Sequence, residues 1–413
     1  MKSFLALGLL LIMPAAFADE FPTPPDLPPT PLARQLLSLD PHVKGARAAK
    51  SMAETDARHL RASNYEWSVR LSGQQRRYDV GGKSNEWNVE LQRPFRLPGK
   101  ASLDKRIGEA GLSEAEAGIG ESTHEAARAL VERWMLWLGA IERHRLLQEQ
   151  EQLVLASRQA VGKRVEAGDA SRLESSLAAT ELAVARRMKS EAKAAEAQAI
   201  ARLQAHFPGI DTTSPPRLAD PVLPEGDLVQ WRARILEHSD PIRIARAKVE
   251  RLNQQAERAQ ADRLPDPTVG IFTSSEVFQQ ERVIGLNVSI PIPGSHRSLV
   301  AKKAQQAVAL AEQELESESR QLVAEIEGGY AAAHGSHSAW LAAEDAASAA
   351  KESAALMTKA YSLGEADLQS RLLSQRQDIA AAEAALDAKV SALRAYYLLL
   401  VDGHYLWDLA HED

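Results

Sequence analysis

The sequence predicts an α+β chain of two tandem halves, each a long helical hairpin carrying a short β-hairpin. Three observations predict it. The first is a change of period. Between Asn85 and Pro94, Trp87, Val89 and Leu91 fall on one side and Asn88, Glu90 and Gln92 on the other, as in a strand with one apolar and one polar face. After Pro98-Gly99 the alternation stops, and a long proline-free run rich in Ala, Leu, Glu and Arg has helix composition. The second is that the event recurs: Ile284, Leu286, Val288 and Ile290 alternate with Gly285, Asn287 and Ser289 before Pro291-Ile-Pro-Gly294 opens another helical run. The third is the register between copies. Asp40-Pro41 matches Asp240-Pro241, Pro98-Gly99 matches Pro293-Gly294, Gly168 matches Gly364, and Pro208-Gly209 falls near Asp402-Gly403. The offset of about 195 residues far exceeds the period of solenoid repeats.

Taken in order, residues 1–18 read as a secretory signal. Lys2 precedes the apolar run Phe4 to Met13, and Ala16-Phe17-Ala18 offers a small-residue cleavage site. That run is too short to cross a bilayer, and no later stretch stays apolar for about 18 residues, so an exported chain meets a membrane by some other route. The 413 residues contain no cysteine, which excludes a disulfide framework, a thiolate metal centre and a lipid-bearing N-terminal Cys. A formal net charge of -7, one unit more negative once Lys2 is removed, gives no support to nucleic-acid binding. Aromatics are only 5%, and much of the apolar content is alanine, which suits helices packed closely side by side.

Residues 19–39 hold six prolines between Phe21 and Pro31 and read as an extended leader. Repeat 1, residues 40–207, reads as a helix over 41–62, a β-hairpin over about 65–93, a long helix over 101–162 and a helix over 170–205. A linker is expected over 208–239. Repeat 2, residues 240–402, reads as a helix over 241–263, a β-hairpin over about 268–290, a long helix over 295–362 and a helix over 365–402, with a tail over 403–413. At 1.5 Å per residue the long helix of repeat 1 spans about 93 Å, and its two shorter helices placed end to end span about 87 Å, so each half builds two columns of equal length. The last helix carries a 4-3 spaced stripe of Leu368, Leu372, Gln375, Ile379, Ala382, Leu386, Val390, Leu393, Tyr397 and Leu400, read as coiled-coil core.

Four strands of roughly transmembrane length cannot close a barrel, and open edges are not tolerated in lipid. The chain is therefore expected to share a barrel with copies of itself. Two copies would supply about 8 strands around a lumen filled by side chains, and three about 12 around a wider one. The alternation assigns Glu66, Ser68, Arg70, Asn88, Glu90, Gln92 and Asn287 to the lumen. It assigns Trp67, Val69, Trp87, Val89, Leu91, Leu286 and Val288 to lipid. At the far end of each long helix, Gly168 and Gly364 suit the left-handed residue that ends a helix, and Asp169, Ser171 or Asp367 can cap the next one. Glu174, Glu365 and Asp367 would add a ring of carboxylates there, with Ser370 standing where repeat 1 has Glu174.

No catalytic constellation, cofactor motif or phosphate loop is present in the sequence, so an enzyme such as a secreted hydrolase is disfavoured. His334 and His337 are three apart on a helix without flanking carboxylates, and these, His404 and His411 read as surface histidines and not as metal ligands. A periplasmic coiled-coil adaptor or scaffold would explain the helices but has no need of two amphipathic hairpins.

The duplicated Asp-Pro openings, the strand-Pro-Gly-helix junctions and the segment Tyr361-Ser-Leu-Gly364-Glu-Ala-Asp-Leu368 together resemble the outer-membrane efflux protein family, the TolC-like exit ducts of Gram-negative bacteria. The resemblance implies a homotrimer, with a β-barrel of about 12 strands in outer-membrane lipid and a periplasmic tunnel of about 12 helices. It also implies a periplasmic adaptor and an inner-membrane transporter of the resistance-nodulation-division type as partners. Leu91-Gln-Arg-Pro-Phe-Arg-Leu-Pro-Gly-Lys100 is similar to the junction of the cobalt-zinc-cadmium branch, which implies divalent heavy-metal cations as cargo. The second junction, Ile290-Pro-Ile-Pro-Gly-Ser-His-Arg297, departs from that branch's longer motif.

Overall fold

The computed structural model describes residues 23–63, 65–407 and 409. The expected signal segment and His411 lie outside them. Repeat 1 contains α2 (Pro41–Ala62), β1 (Ser68–Tyr78), β2 (Gly82–Pro94), α3 (Lys100–Glu166) and α4 (Arg172–His206). Repeat 2 contains α6 (Asp240–Ala261), β3 (Thr268–Glu276), β4 (Glu281–Ser289), α7 (Ser295–Leu363) and α8 (Leu368–Asp402). With 67 and 69 residues, α3 and α7 are each about 100 Å long. Both α2 and α4 pack along α3, and both α6 and α8 along α7, which gives the paired columns.

Two segments correct the sequence reading. The expected extended leader contains a helix, α1 (Thr30–Leu39), with proline in its first turn and Ala33, Leu36 and Leu37 buried. Proline costs no hydrogen bond at that position, so Pro31 starts this helix where a proline in its interior would break it. The expected linker contains α5 (Leu228–His238), opened by a capping box in which Asp227 and Gln230 bond each other's backbone N–H, and anchored by buried Trp231 and Ile235. In both places apolar residues at helical spacing outweigh the surrounding prolines.

Among the described residues the largest apolar core lies at mid-height. There Leu130, Trp134, Met135, Trp137 and Leu138 of α3 meet Leu203, Phe207, Trp231, Tyr397, Leu400 and Trp407. The residues ahead of α1 are bolted into it. Asp26, fully buried, accepts from the Tyr397 hydroxyl (2.6 Å) and the Ala219 N–H (3.0 Å). The Trp407 indole donates to the Pro28 carbonyl (3.0 Å), so the C-terminal tail is packed as well. Toward the helical tips the core thins to small clusters, such as Val154 with Leu182 and Ala185, and Val161 with Ala178, Leu368 and Leu372. The 4-3 stripe of α8 supplies the last two residues and, at mid-height, Leu393, Tyr397 and Leu400.

At the opposite end the two hairpins join in one antiparallel sheet of order β1-β2-β3-β4. The central β2–β3 pairing links the repeats, and β1 and β4 each leave one edge open.

Candidate functional site

The pairing Ser68↔Gln92, Gln92↔Gly270 and Gly270↔Asn287 sets the sheet's faces. Because side chains alternate along each strand, Ser68, Arg70, Asn88, Glu90, Gln92 and Asn287 share one face. Val69, Trp87, Val89, Leu91, Leu286 and Val288 share the other. Glu66 and Trp67 precede β1. The polar face is internally bonded: Glu90, 6% exposed, accepts from Arg70 (3.3 Å) and Asn287 (2.5 Å). Glu86 accepts from Gln74 (2.8 Å) and pairs with Arg76 (3.2 Å). Phe272 is an apolar intruder on this face, accommodated because Gly285 opposite has no Cβ; one added there would lie 2.5 Å from the ring. The apolar face is bare, with Leu71 73%, Leu286 77% and Ile284 84% exposed. This inverts the order of a water-soluble sheet: carboxylates are enclosed, and branched aliphatic side chains stand outward.

A buried ion network fixes the sheet to the helices beneath it. Lys100, 2% exposed, reaches Asp262 (2.9 Å), Asp266 (2.8 Å) and the Leu264 carbonyl (2.8 Å). Asp104 holds Arg96 (2.5 Å) and Arg258 (2.7 Å), and Asp266 also accepts from the Leu97 N–H (2.9 Å). Sequence reasoning missed this network because its members come from segments more than 150 residues apart. The only local signal was a basic residue directly after Pro98-Gly99.

At the tips both turns use glycine as expected, with φ of +80° at Gly168 and +78° at Gly364. Asp169 N–H bonds the Arg164 carbonyl (2.8 Å) and Glu365 N–H bonds that of Ala360 (2.9 Å), closing the last helical turns. The following caps differ. In repeat 1 Ser171 and Glu174 form a reciprocal box (2.8 and 3.1 Å), whereas in repeat 2 Asp367 alone accepts from the Ser370 N–H (2.7 Å) and hydroxyl (3.2 Å). Asp169, one of three candidates for the cap, does not serve as one; its carbonyl accepts from Arg164 (3.1 Å). Glu365 is exposed with no capping duty. The two tips touch through Tyr361, whose hydroxyl accepts from Arg164 (2.6 Å) and whose ring is approached by the guanidinium groups of Arg164 (5.3 Å) and Arg371 (5.2 Å).

Residues 231–397 match the outer membrane efflux protein family. The remainder follows the same architecture, because the chain superposes over nearly its whole length on solved outer-membrane channels. Against the outer-membrane channel OprN the TM-score is 0.75 at 19% identity, covering 92% of this chain and 90% of that one. Against the CmeC outer membrane channel of Campylobacter jejuni it is 0.76 at 15% identity, covering 92% and 86%. Against the outer membrane protein VceC of Vibrio cholerae it is 0.74 at 17% identity, covering 90% and 95%. No curated protein matches by sequence. The TolC-like fold that the resemblance implied is therefore the fold of this chain.

Within that fold one further polar feature stands out. Where the N-terminus of α6 meets the C-terminus of α8, a cavity of about 920 Å³ opens between α3 and α7, lined among others by Glu121, His124, Arg128, Asp240, Asp402 and His404. Burial pushes the Glu121 carboxyl up to about 7, opposed by His124 and reinforced by Glu125, Asp240 and Glu318. The equivalent seam of repeat 1 is filled by Phe207, Leu37 and Val43. Among the described residues no group of three or more His, Asp or Glu is arranged to hold a metal ion. His334 packs at a tilt against Tyr330 (4.4 Å between ring centroids) and His337 edge-on against Trp340 (5.6 Å).

Proposed function

We propose that three copies of this chain form the outer-membrane exit duct of a tripartite efflux pump, passively conducting solute from the periplasm to the exterior. The observation that carries this reading is the inverted four-stranded sheet with two open edges. Backbone donors and acceptors cannot face hydrocarbon unpaired, so β1 of one copy pairs with β4 of the next and the circle closes. The bare aliphatic face then meets lipid through Val69, Trp87, Val89, Leu91, Leu286 and Val288, and the bonded polar face lines the lumen. A periplasmic adaptor without a barrel would leave Leu71, Ile284 and Leu286 in water, which disfavours that alternative.

The six tips of the trimer form the periplasmic aperture and the docking surface for an adaptor, which couples the duct to an inner-membrane transporter of the resistance-nodulation-division type. Gly168, Asp169, Glu174, Gly364, Glu365 and Asp367 lie at this aperture. Divalent heavy-metal cations are the cargo that the Leu91–Lys100 junction favours, and carboxylates at the aperture favour cations as a class. The test is cross-linking in native outer membranes followed by conductance of the purified protein in planar bilayers. A cross-linked trimer with cation-selective channels is expected; a monomer or dimer without channels would overturn the reading. Glu365→Gln should lower cation selectivity at low salt and leave assembly unchanged, with the difference fading as salt shortens the Debye length.

A further inference from the structure

The two β-turns at the outer end of the sheet are built in opposite ways. Between β1 and β2 the chain reverses through Gly81 (φ +112°) and Gly82 (φ +102°), and Val80 is 92% exposed, so the turn is relaxed and untethered. Between β3 and β4 three consecutive non-glycine residues are left-handed: Val277 (φ +45°), Phe278 (φ +55°) and Gln279 (φ +69°). Such a run is unfavourable for side chains with a Cβ, and most of all for β-branched Val277, so it persists only where the surroundings hold it.

The surroundings do hold it, and from one side only. Ser84 Oγ accepts from the Phe278 N–H (2.7 Å), and Glu86 Oε1 accepts from the Val277 N–H (3.3 Å). The Phe278 ring stacks on Tyr78, with centroids 5.4 Å apart and planes at 21°. Arg76 ties the base of the turn by bridging Glu86 (3.2 Å) and Glu276 (3.7 Å). Tyr78, Ser84, Glu86 and Arg76 all lie on the polar face, as the pairs Tyr78↔Gly82, Arg76↔Ser84 and Gln74↔Glu86 require. The second turn is therefore folded over the polar face of the first hairpin. Ser84 and Glu86 are only 1% and 4% exposed beneath it.

We infer that Phe278 and Tyr78 form an outer constriction of the duct, set by a tethered and strained turn that can swing clear when its anchors let go. The inference rests on the duct reading, because only in a closed barrel with the polar face inward does a turn folded over that face narrow a passage. Three Phe278–Tyr78 stacks would then stand at the exterior mouth as an aromatic sieve, limiting by size what passes. Releasing the turn relieves the left-handed strain, which offsets part of the lost hydrogen bonding and makes opening accessible.

The absence of native cysteine permits a clean test. Because Ser84 Oγ lies 2.7 Å from the Phe278 nitrogen, the two Cα atoms are at most roughly 6.6 Å apart, within disulfide range. Ser84→Cys/Phe278→Cys should therefore oxidise to an intramolecular bridge. In planar bilayers with potassium chloride, the oxidised channel, its turn locked over the polar face, should conduct at most half as well as the same channel after reduction, which tests the swing of the turn apart from the aromatic pair. Phe278→Ala and Tyr78→Ala should each admit polyethylene glycols larger than the wild-type channel admits. An unchanged polymer cut-off in both alanine variants would overturn the constriction, and equal conductance in the oxidised and reduced states would overturn its opening by a swing of the turn, each leaving the duct intact. A wild-type trimer that gives no channels at all would instead refute the duct reading on which this rests.

Discussion

The long helices α3 and α7 occupy equivalent places in the two repeats and have nearly the same length, yet they are buried to very different degrees. Twenty residues of α3 are buried, among them Leu130, Trp134, Trp137 and Leu138; only five of α7 are, and four of those are alanines. The reason is position: α3 is packed by α2, α4, α6 and α8, whereas α7 is packed by α5, α6 and α8 and leaves Leu299, Leu310, Leu341 and Leu356 exposed. Duplication supplied one backbone plan, and the sequences then diverged so that repeat 1 builds the interior of the protomer and repeat 2 offers a surface. In a closed tunnel that surface is where the neighbouring copy sits.

The largest effects should come from breaking this division. Trp137→Ala removes a fully buried side chain from the core and should destabilise the protomer by about 3–5 kcal/mol in denaturant melts. Its counterpart on α7 is the exposed Ala332, where Ala332→Ser should shift stability by less than about 0.5 kcal/mol. Leu310→Glu should do the reverse of Trp137→Ala, leaving the protomer's melt intact while shifting the cross-linked population from trimer to monomer.

The strand-helix junctions offer the same contrast at comparable size. Lys100→Met strands the buried Asp266 without its cation, while Asp262 keeps Arg258, and should cost about 3–5 kcal/mol, as breaking one partner of a buried ion pair does. The equivalent residue of repeat 2 is Ser295, which has no such network, and Ser295→Ala should be close to neutral in the same melts.

Much of this organisation could be read from the residues, and the failures have a common physical cause. Strand faces, helix spans and tip glycines are local in sequence: a period of two in Trp87-Asn88-Val89-Glu90-Leu91, a proline-free run after Gly99, a glycine between helices. The structure has α2 over Pro41–Ala62 and its four strands over Ser68–Tyr78, Gly82–Pro94, Thr268–Glu276 and Glu281–Ser289. What escaped were α1 and α5, whose short apolar spacing was masked by neighbouring prolines, and features that exist only through long-range contact. Lys100 with Asp262 and Asp266 is one. The turn over Tyr78, Ser84 and Glu86 is another, since nothing in Val277-Phe278-Gln279 marks it as left-handed. Glu121 is a third: its sequence neighbours are ordinary, and its burial against Asp240 depends on α6 meeting α3.

Glu121 separates the repeats by pH. Its carboxyl titrates near about 7 in the folded chain against an ordinary 4.5, so the native state binds the proton more tightly. The stability it contributes is complete below about 4.5 and is lost as pH rises through about 7. Glu121→Gln, which keeps the neutral form, should therefore melt progressively higher than wild type as pH is raised from about 5 to 8. Glu316, its exposed counterpart on α7, pairs with Arg320 (2.8 Å), and Glu316→Gln should show no such divergence. The smallest effects belong to the tip caps. Ser171→Ala removes one half of a reciprocal box and Asp367→Ala a single acceptor, each costing about 1 kcal/mol, without loss of the trimer.

In the proposed trimer each four-stranded sheet is one third of a shared barrel, polar inside and lipid-covered outside. Single cysteines at Asn88, Val89, Glu90 and Leu91, placed in the cysteine-free chain and exposed to a water-soluble maleimide in intact outer membranes, test it most directly. Alternation is expected, with positions 88 and 90 labelled from the lumen and 89 and 91 protected by lipid. Uniform labelling of all four positions, or the opposite alternation, would contradict it.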